Sequence, residues 1–290
     1  MALRGTNMGR FAVVFAGGGC RAFWALGAFE CLRHALPPVD EWAGVSAGSA
    51  MALGAALDRA DTVIDEFCTR TRSNPNNFRW SRLIRGQRPF PHEEIYRSTV
   101  STALGENAVD DLRNVAPVRI LVAEVEGPYR LFRVYSAMRA YQRRRKQGGL
   151  HGPAGVARGI HEVVVTAQDL SSNQQITDAV LASSSSPPIT RTQAGPLGLF
   201  YDGSLVDNVP VRALQIVTQK GNSGDKTLVL LNRPMESLPA SGAVLYLAPS
   251  ASVPAQKWDY TSPEKIRATV EQGRTEIAHR MSEIYAWLGK

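Results

Sequence analysis

Two short glycine motifs, each fitted between an apolar run and a helix-forming stretch, constrain this chain more than any other feature. The first, Gly17-Gly18-Gly19, directly follows Phe11 to Ala16. The second, Gly44-Val45-Ser46-Ala47-Gly48, directly precedes an alanine-rich helical segment from Ser49 to Arg59. A sharp strand-to-helix turn brings the backbone close to its neighbours and pushes residues toward positive φ, so it needs residues without a Cβ on both sides of the central one. Gly44 and Gly48 supply that freedom around Ser46. The serine is then expected at the head of the helix, where unpaired N–H groups and the helix dipole stabilise developing negative charge. Three glycines after a strand aim several amides into one concavity and let a substrate oxygen approach closely. Gly17, Gly18 and Gly19 are therefore the expected oxyanion donors and Ser46 the expected nucleophile.

A nucleophilic serine needs a base. Of the histidines, His34, His92, His151, His161 and His279, only the last four follow Ser46, and His279 is the one that fits a Ser, Asp, His order. It lies inside an amphipathic stretch beside Arg280, not at a strand end, and His92 and His161 carry no partner motif. Asp202-Gly203 follows the apolar run Leu197 to Tyr201 and precedes the turn-rich segment Leu205 to Pro210, which sets an aspartate at a strand end. A carboxylate with an ordinary pKa of roughly 3.9 is a weak base unless its site is apolar or it is held against the serine. A plain Asp-Gly turn is the alternative for this pair.

The chain of 290 residues is 44% hydrophobic and 20% charged, enough to bury a large core without disulfides or metals. One domain over residues 1–290 is expected. Cys20, Cys31 and Cys68 are odd in number and lack CxxC spacing, which reads as reduced thiols in a cytoplasmic protein. The run Phe11 to Ala16 is too short for a signal-peptide core, and no stretch approaches the roughly 18 consecutive apolar residues of a membrane span. The net charge of +7 is concentrated in Arg70 to Arg88 and in Arg139 to Lys146. Either cluster could meet an anionic membrane surface, to which each cation contributes on the order of 1 kcal/mol; the plain alternative is a solvated helix face. Zinc-finger spacing, a homeodomain-like helix set and an RNP-type strand are all missing, so nucleic acid is not an expected partner.

Strand-like runs at Phe11 to Ala16, Val118 to Val125, Glu162 to Thr166, Thr227 to Leu231 and Val244 to Leu247 alternate with helical stretches. That pattern predicts an α/β sheet covered on both faces, with buried parallel strands. A nearly all-apolar helix is expected over Cys20 to Leu36, stopped by Pro37-Pro38, and a docked surface helix from Ser262 as N-cap to Gly289 as terminator. Residues 61–115 read as polar helices inserted over one edge as a cap. Gly148 to Gly159 reads as a loop.

Taken in order, Gly17-Gly18-Gly19-Cys20-Arg21, Gly44-Val45-Ser46-Ala47-Gly48 and Asp202-Gly203 resemble the patatin-like phospholipase family. Ala182-Ser183-Ser184-Ser185-Ser186-Pro187 and Asn208-Val209-Pro210 extend the resemblance, which spans about residues 11–212. It implies a three-layer α/β/α sandwich with a mainly parallel central sheet, and a lipid acyl hydrolase acting on phospholipids or other acyl esters. By residue match it implies Ser46 as nucleophile, Asp202 as base without a histidine, the amides of Gly17 to Gly19 as oxyanion hole and Arg21 as a brace, with Gly44, Gly48 and Gly203 in support. The family's glycine motif usually ends in glycine where this chain has Ala22, and its Asp-Gly pair is commonly followed by glycine or alanine where this chain has Ser204. No metal or organic cofactor is implied.

Three other readings compete. A catalytically silent lipid-binding or scaffolding protein could share the fold. An α/β-hydrolase triad would need His279. A dinucleotide-binding protein would use Gly17 to Ala22 as G-x-G-x-x-A and Asp40, about 20 residues on, as the ribose ligand. That last reading needs an apolar strand before Asp40, where the chain has Leu36-Pro37-Pro38-Val39.

Overall fold

The computed structural model describes residues 9–151, 159–218, 224–239 and 241–290. Its strands are β1 (Phe11–Phe15), β2 (Glu41–Val45), β3 (Val118–Glu126), β4 (Ile160–Thr166), β5 (Gln193–Ala194), β6 (Gly198–Asp202), β7 (Lys226–Leu230) and β8 (Val244–Leu247). Its helices are α1 (Phe23–Leu32), α2 (Ala47–Ala56), α3 (Ala60–Arg72), α4 (Trp80–Ile84), α5 (His92–Leu104), α6 (Ala108–Arg113), α7 (Arg130–Lys146), α8 (Asn173–Ser183), α9 (Gln215–Thr218), α10 (Pro263–Ala278) and α11 (Met281–Leu288).

The strands form one sheet. β3, β2, β1, β7 and β8 are parallel in that spatial order, while β4 and β6 pair antiparallel with β3, and β5 pairs antiparallel with β6. β1 and β2 are buried along their whole length, as strands covered on both faces must be. Their side chains alternate between two cores. Phe11, Val13 and Phe15 face the layer of α1, α2, α3, α5, α8 and α10, whereas Ala12 and Val14 face Val209, Val211, Leu214 and Ile216 on the other side. On that second face, Ala137 of α7 packs with Ala123 and Val125 of β3. The protein is thus a three-layer α/β/α sandwich with a mainly parallel central sheet. Phe15, Leu26 and Ile120 are fully buried in the larger core, and each contributes about 2 kcal/mol by leaving water.

Element boundaries differ from the sequence reading where packing intervenes. A 3₁₀ turn (Gly19–Ala22) replaces the first turn of the helix expected from Cys20, and α1 ends at Leu32. The helix expected over Ser49 to Arg59 instead begins directly after Ser46 and ends at Ala56, where Asp58 takes φ 55°. The C-terminal helix is two helices, α10 and α11, divided at His279 and Arg280. The division lets Trp287 of α11 turn onto Phe11, with ring centroids 6.2 Å apart. Pro263 takes the first turn of α10, but the Ser262 side chain makes no capping bond; Gly289 ends α11 with φ 78°. Residues 61–115 carry most of α3 and all of α4, α5 and α6, with α3 and α5 packed on each other and on α2. Of the loop expected over Gly148 to Gly159, residues 152–158 lie outside the described residues.

Candidate active site

The separation of Ser46 and Asp202 is set by strand pairing. Residues 119–121 of β3 pair with β2 on one edge and β4 on the other, and residues 122–125 pair with β4 and β6. β2 and β6 must therefore share one edge of β3. They run toward each other, with Val45 opposite Leu121 and Asp202 opposite Val122. The chain turns out of the sheet at Ser46 on one side of this junction and at Gly203 on the other. Leu121 carbonyl accepts a hydrogen bond from Ser183 Oγ at 2.6 Å, and Ser183 Oγ in turn accepts the Ser46 amide at 2.8 Å.

Ser46 takes φ 55° and ψ −133°, so the strained residue of the elbow is the serine itself. The flanking glycines are needed for close approach instead. A Cβ on Gly44 would lie 2.4 Å from the Gly48 carbonyl oxygen, and one on Gly48 would lie 2.4 Å from the Phe15 carbonyl oxygen. Ser49 holds the elbow from the helix side, its amide and its Oγ both donating to Ser46 carbonyl at 2.9 and 2.5 Å.

Ser46 Oγ donates to Asp202 Oδ2 at 2.9 Å, and both residues are buried. Asp202 Oδ1 accepts the Ser204 amide at 2.9 Å, which leaves Oδ2 for the serine. Ser186 Oγ stands 3.4 Å from the same Oδ2. No histidine among the described residues hydrogen-bonds either member of this pair. His151 faces Asp207 at 3.1 Å, His161 faces Glu126, and His92 packs against Tyr260 and Trp258. Asp40 lies before the start of β2, where its Oδ2 accepts the Phe11 amide at 2.8 Å. This is the opposite end of the strands from the one at which dinucleotides bind.

The glycine loop narrows the expected donor set. Gly17 amide donates to Asn208 carbonyl at 3.0 Å, so it is not available to a substrate oxygen. The amides of Gly18 and Gly19 have no acceptor among the described residues. Gly19 has φ 58°. Arg21 Nε donates to Gly18 carbonyl at 3.3 Å. Two buried asparagines given no role from sequence complete the brace: Asn208 Nδ2 and Asn232 Nδ2 both donate to Gly17 carbonyl, at 2.9 and 2.6 Å. Gly18 lines one cavity together with Ser46, and Gly19 lines another together with Ala47. Asn232 lies after β7 in no motif, and only the general rule that a buried amide has a partner could have singled it out.

Two cavities are lined by residues of the glycine loop and the elbow. One is almost wholly apolar and runs from Gly19 and Ala47 between α2, α3 and α5, past Met51, Phe67 and Val100 to Leu57. The other, about 70 Å³, includes Ser46 and Gly18 and opens beside α7. Cys20 borders the apolar cavity, and burial raises the pKa of its thiol far above the ordinary value. It therefore stays protonated and does not compete as a nucleophile. Among the described residues no group of three or more His, Cys, Asp or Glu side chains is arranged to hold a metal ion, and no helix is long and apolar enough to cross a membrane.

A parallel α/β/α sandwich with a serine on a strand-to-helix elbow, a glycine loop beside it and an aspartate in hydrogen-bond contact defines a class of α/β proteins built around one serine. A family model described as Patatin-like phospholipase matches residues 13–214, and the chain belongs to that family. Among solved structures it is similar to VipD from Legionella pneumophila, with a TM-score of 0.47 and 11% identity over 96% of this chain and 67% of that one. No curated protein matches the sequence.

Proposed function

We propose that the protein is a serine lipid acyl hydrolase that works through Ser46 and Asp202. The observation that carries the proposal is the 2.9 Å hydrogen bond from Ser46 Oγ to Asp202 Oδ2, buried beside the two free amides of Gly18 and Gly19. In the first step Oγ bonds to the ester carbonyl carbon and its proton passes to the Asp202 carboxylate. The carbonyl oxygen becomes an oxyanion held by the Gly18 and Gly19 amides, each such donor being worth about 2.7 to 4 kcal/mol. The ester C–O bond then breaks, and the departing alcohol oxygen takes the proton from Asp202. In the second step water attacks the acyl-serine, gives its proton to Asp202, and releases the fatty acid as Ser46 regains a proton. The apolar lining of the cavity from Ala47 to Leu57 supports an acyl chain as its occupant and lipid esters as the substrates.

The setting for this chemistry is an anionic membrane surface, with α7 as the contact. That helix carries seven Arg or Lys and no Asp or Glu, and none of them is ion-paired among the described residues. Leu131 and Phe132 are 77% and 70% exposed, an arrangement suited to lying in a lipid interface. By contrast Arg70 and Arg82 of the first basic cluster are paired with Glu66 and Glu94.

The test is reaction of the folded protein with a fluorophosphonate ester, read by intact mass, beside turnover of an acyl ester. The expected result is one adduct, mapped to Ser46 and missing from Ser46→Ala. Ser46→Ala and Asp202→Asn should each reduce turnover by roughly 10⁴-fold or more. A folded protein that gives neither adduct nor turnover would leave a silent lipid-binding protein as the reading.

A further inference from the structure

The cavity beside α7 holds four cations and no carboxylate. Arg21, Arg145, Arg233 and Lys257 line it together with Ser46 and Gly18. Each comes from a different part of the chain: the turn after the glycine loop, the last turn of α7, the loop after β7 and the segment before α10. None of the four is ion-paired among the described residues. The contacts they make are with neutral groups: Arg21 Nε with Gly18 carbonyl, Arg233 Nη2 with Gly149 carbonyl at 3.3 Å, and Lys257 Nζ above the Trp258 ring, 5.0 Å from its centroid. Burial and mutual repulsion with Arg145 lower the proton affinity of both Arg21 and Arg233. Arg21 and Arg233 are half-buried and Arg145 and Lys257 are exposed at the rim, and like charges gathered around one cavity without a counterion attract an anion to it. Asp202, the acid held against Ser46, is already engaged by Ser46 and the Ser204 amide.

From this convergence we infer that the cavity is the subsite for a phosphate on the alcohol portion of the substrate, so that the preferred substrates are acyl esters of glycerol phosphate. The inference rests on the proposed Ser46 chemistry. With the acyl chain assigned to the apolar cavity and the carbonyl oxygen to Gly18 and Gly19, the cavity that contains Ser46 is the one left for the alcohol side of the ester. Arginine is suited to paired hydrogen bonds with phosphate oxygens. A neutral glyceride leaves the four cations uncompensated, and a choline headgroup adds a fifth positive charge among them.

The test compares three esters with the same short hexanoyl chain, all presented as monomers so that no charged surface concentrates them: acylglycerol phosphate, monoacylglycerol and acylglycerophosphocholine. The wild-type protein should favour the first over either of the others by at least about tenfold in kcat/KM, through KM, and the preference should shrink as salt screens the cavity. The Arg145→Gln/Arg233→Gln double variant should bring the ratio toward parity. If that variant does not fold, the wild-type ratio and its salt dependence still decide. Inorganic phosphate is a further arm: competition against the phosphate ester assigns both anions to one leaving-group subsite, whereas an equal effect on all three esters marks a site for free phosphate and overturns the assignment. Turnover of the neutral ester without preference also overturns it, leaving the Ser46 chemistry intact. Turnover of none, with no fluorophosphonate adduct, overturns both.

Discussion

At the scale of single residues, the elbow stores backbone strain at the proposed nucleophile. Ser46 holds a positive φ that β-carbon residues avoid, at a cost of about 1 to 3 kcal/mol, and it is kept there by Ser183 on its amide and Ser49 on its carbonyl. Glycine adopts that backbone freely. Ser46→Gly is therefore expected to be inactive yet more stable than Ser46→Ala, by about 1 kcal/mol in chemical denaturation. Equal stability of the two variants would show that the elbow is not strained. The candidate pair Ser46 and Asp202 was readable from the sequence because turn chemistry is local: glycine spacing and Asp-Gly are signals a few residues long. That Gly17 gives its amide to Asn208, and that Asn232 ties back the Gly17 carbonyl, depends on chain segments about two hundred residues apart. No local pattern encodes such a contact.

At the scale of elements, α7 is the one that differs most from its neighbours. Its only buried residue is Ala137, and its last turn carries Arg143, Arg144, Arg145 and Lys146. Sequence showed the basic run, but not that these charges lack carboxylate partners among the described residues while Arg70 and Arg82 have them, since pairing is a property of packing. If α7 rests on lipid, binding to vesicles containing phosphatidylglycerol should weaken at high salt, and Arg139→Glu/Arg143→Glu should reduce it by about tenfold or more. Phe132→Ser should weaken it by loss of apolar insertion. Binding that ignores salt, or that survives all these changes, would remove α7 from the contact. The other boundaries that sequence misjudged are at helix ends, where tertiary contacts override propensity: α1 and α10 pack so closely that a Cβ on Gly27 would lie 2.1 Å from the Val270 carbonyl oxygen.

At the scale of the whole molecule, α5 and the C-terminal segment are joined through an aromatic cluster around His92. Its ring lies 4.3 Å from that of Tyr260 and 5.9 Å from that of Trp258, and burial lowers its pKa from 6.5 to about 4. Between those two values the unfolded chain binds a proton that the folded one does not, so stability falls as pH drops through that window. Denaturant titrations at about pH 7 and about pH 4.5 should show a larger loss for the wild type than for His92→Phe; an equal loss would assign the acid sensitivity to other groups. The layered α/β architecture was legible because buried parallel strands are continuously apolar. The antiparallel edge formed by β5 and β6 was not, apart from the short run before Asp202, because five or fewer half-buried residues leave little periodicity to read. The head-on meeting of β2 and β6 along β3 has a further consequence. The ladder on β3 is a ruler: Ser46 and Asp202 are brought together by consecutive rungs at Leu121 and Val122, whatever length of chain lies between them. Segments joining those strands can lengthen, shorten or be exchanged, reshaping the walls around the pair, and its spacing stays in gauge. One residue added or removed within the rungs themselves would break it.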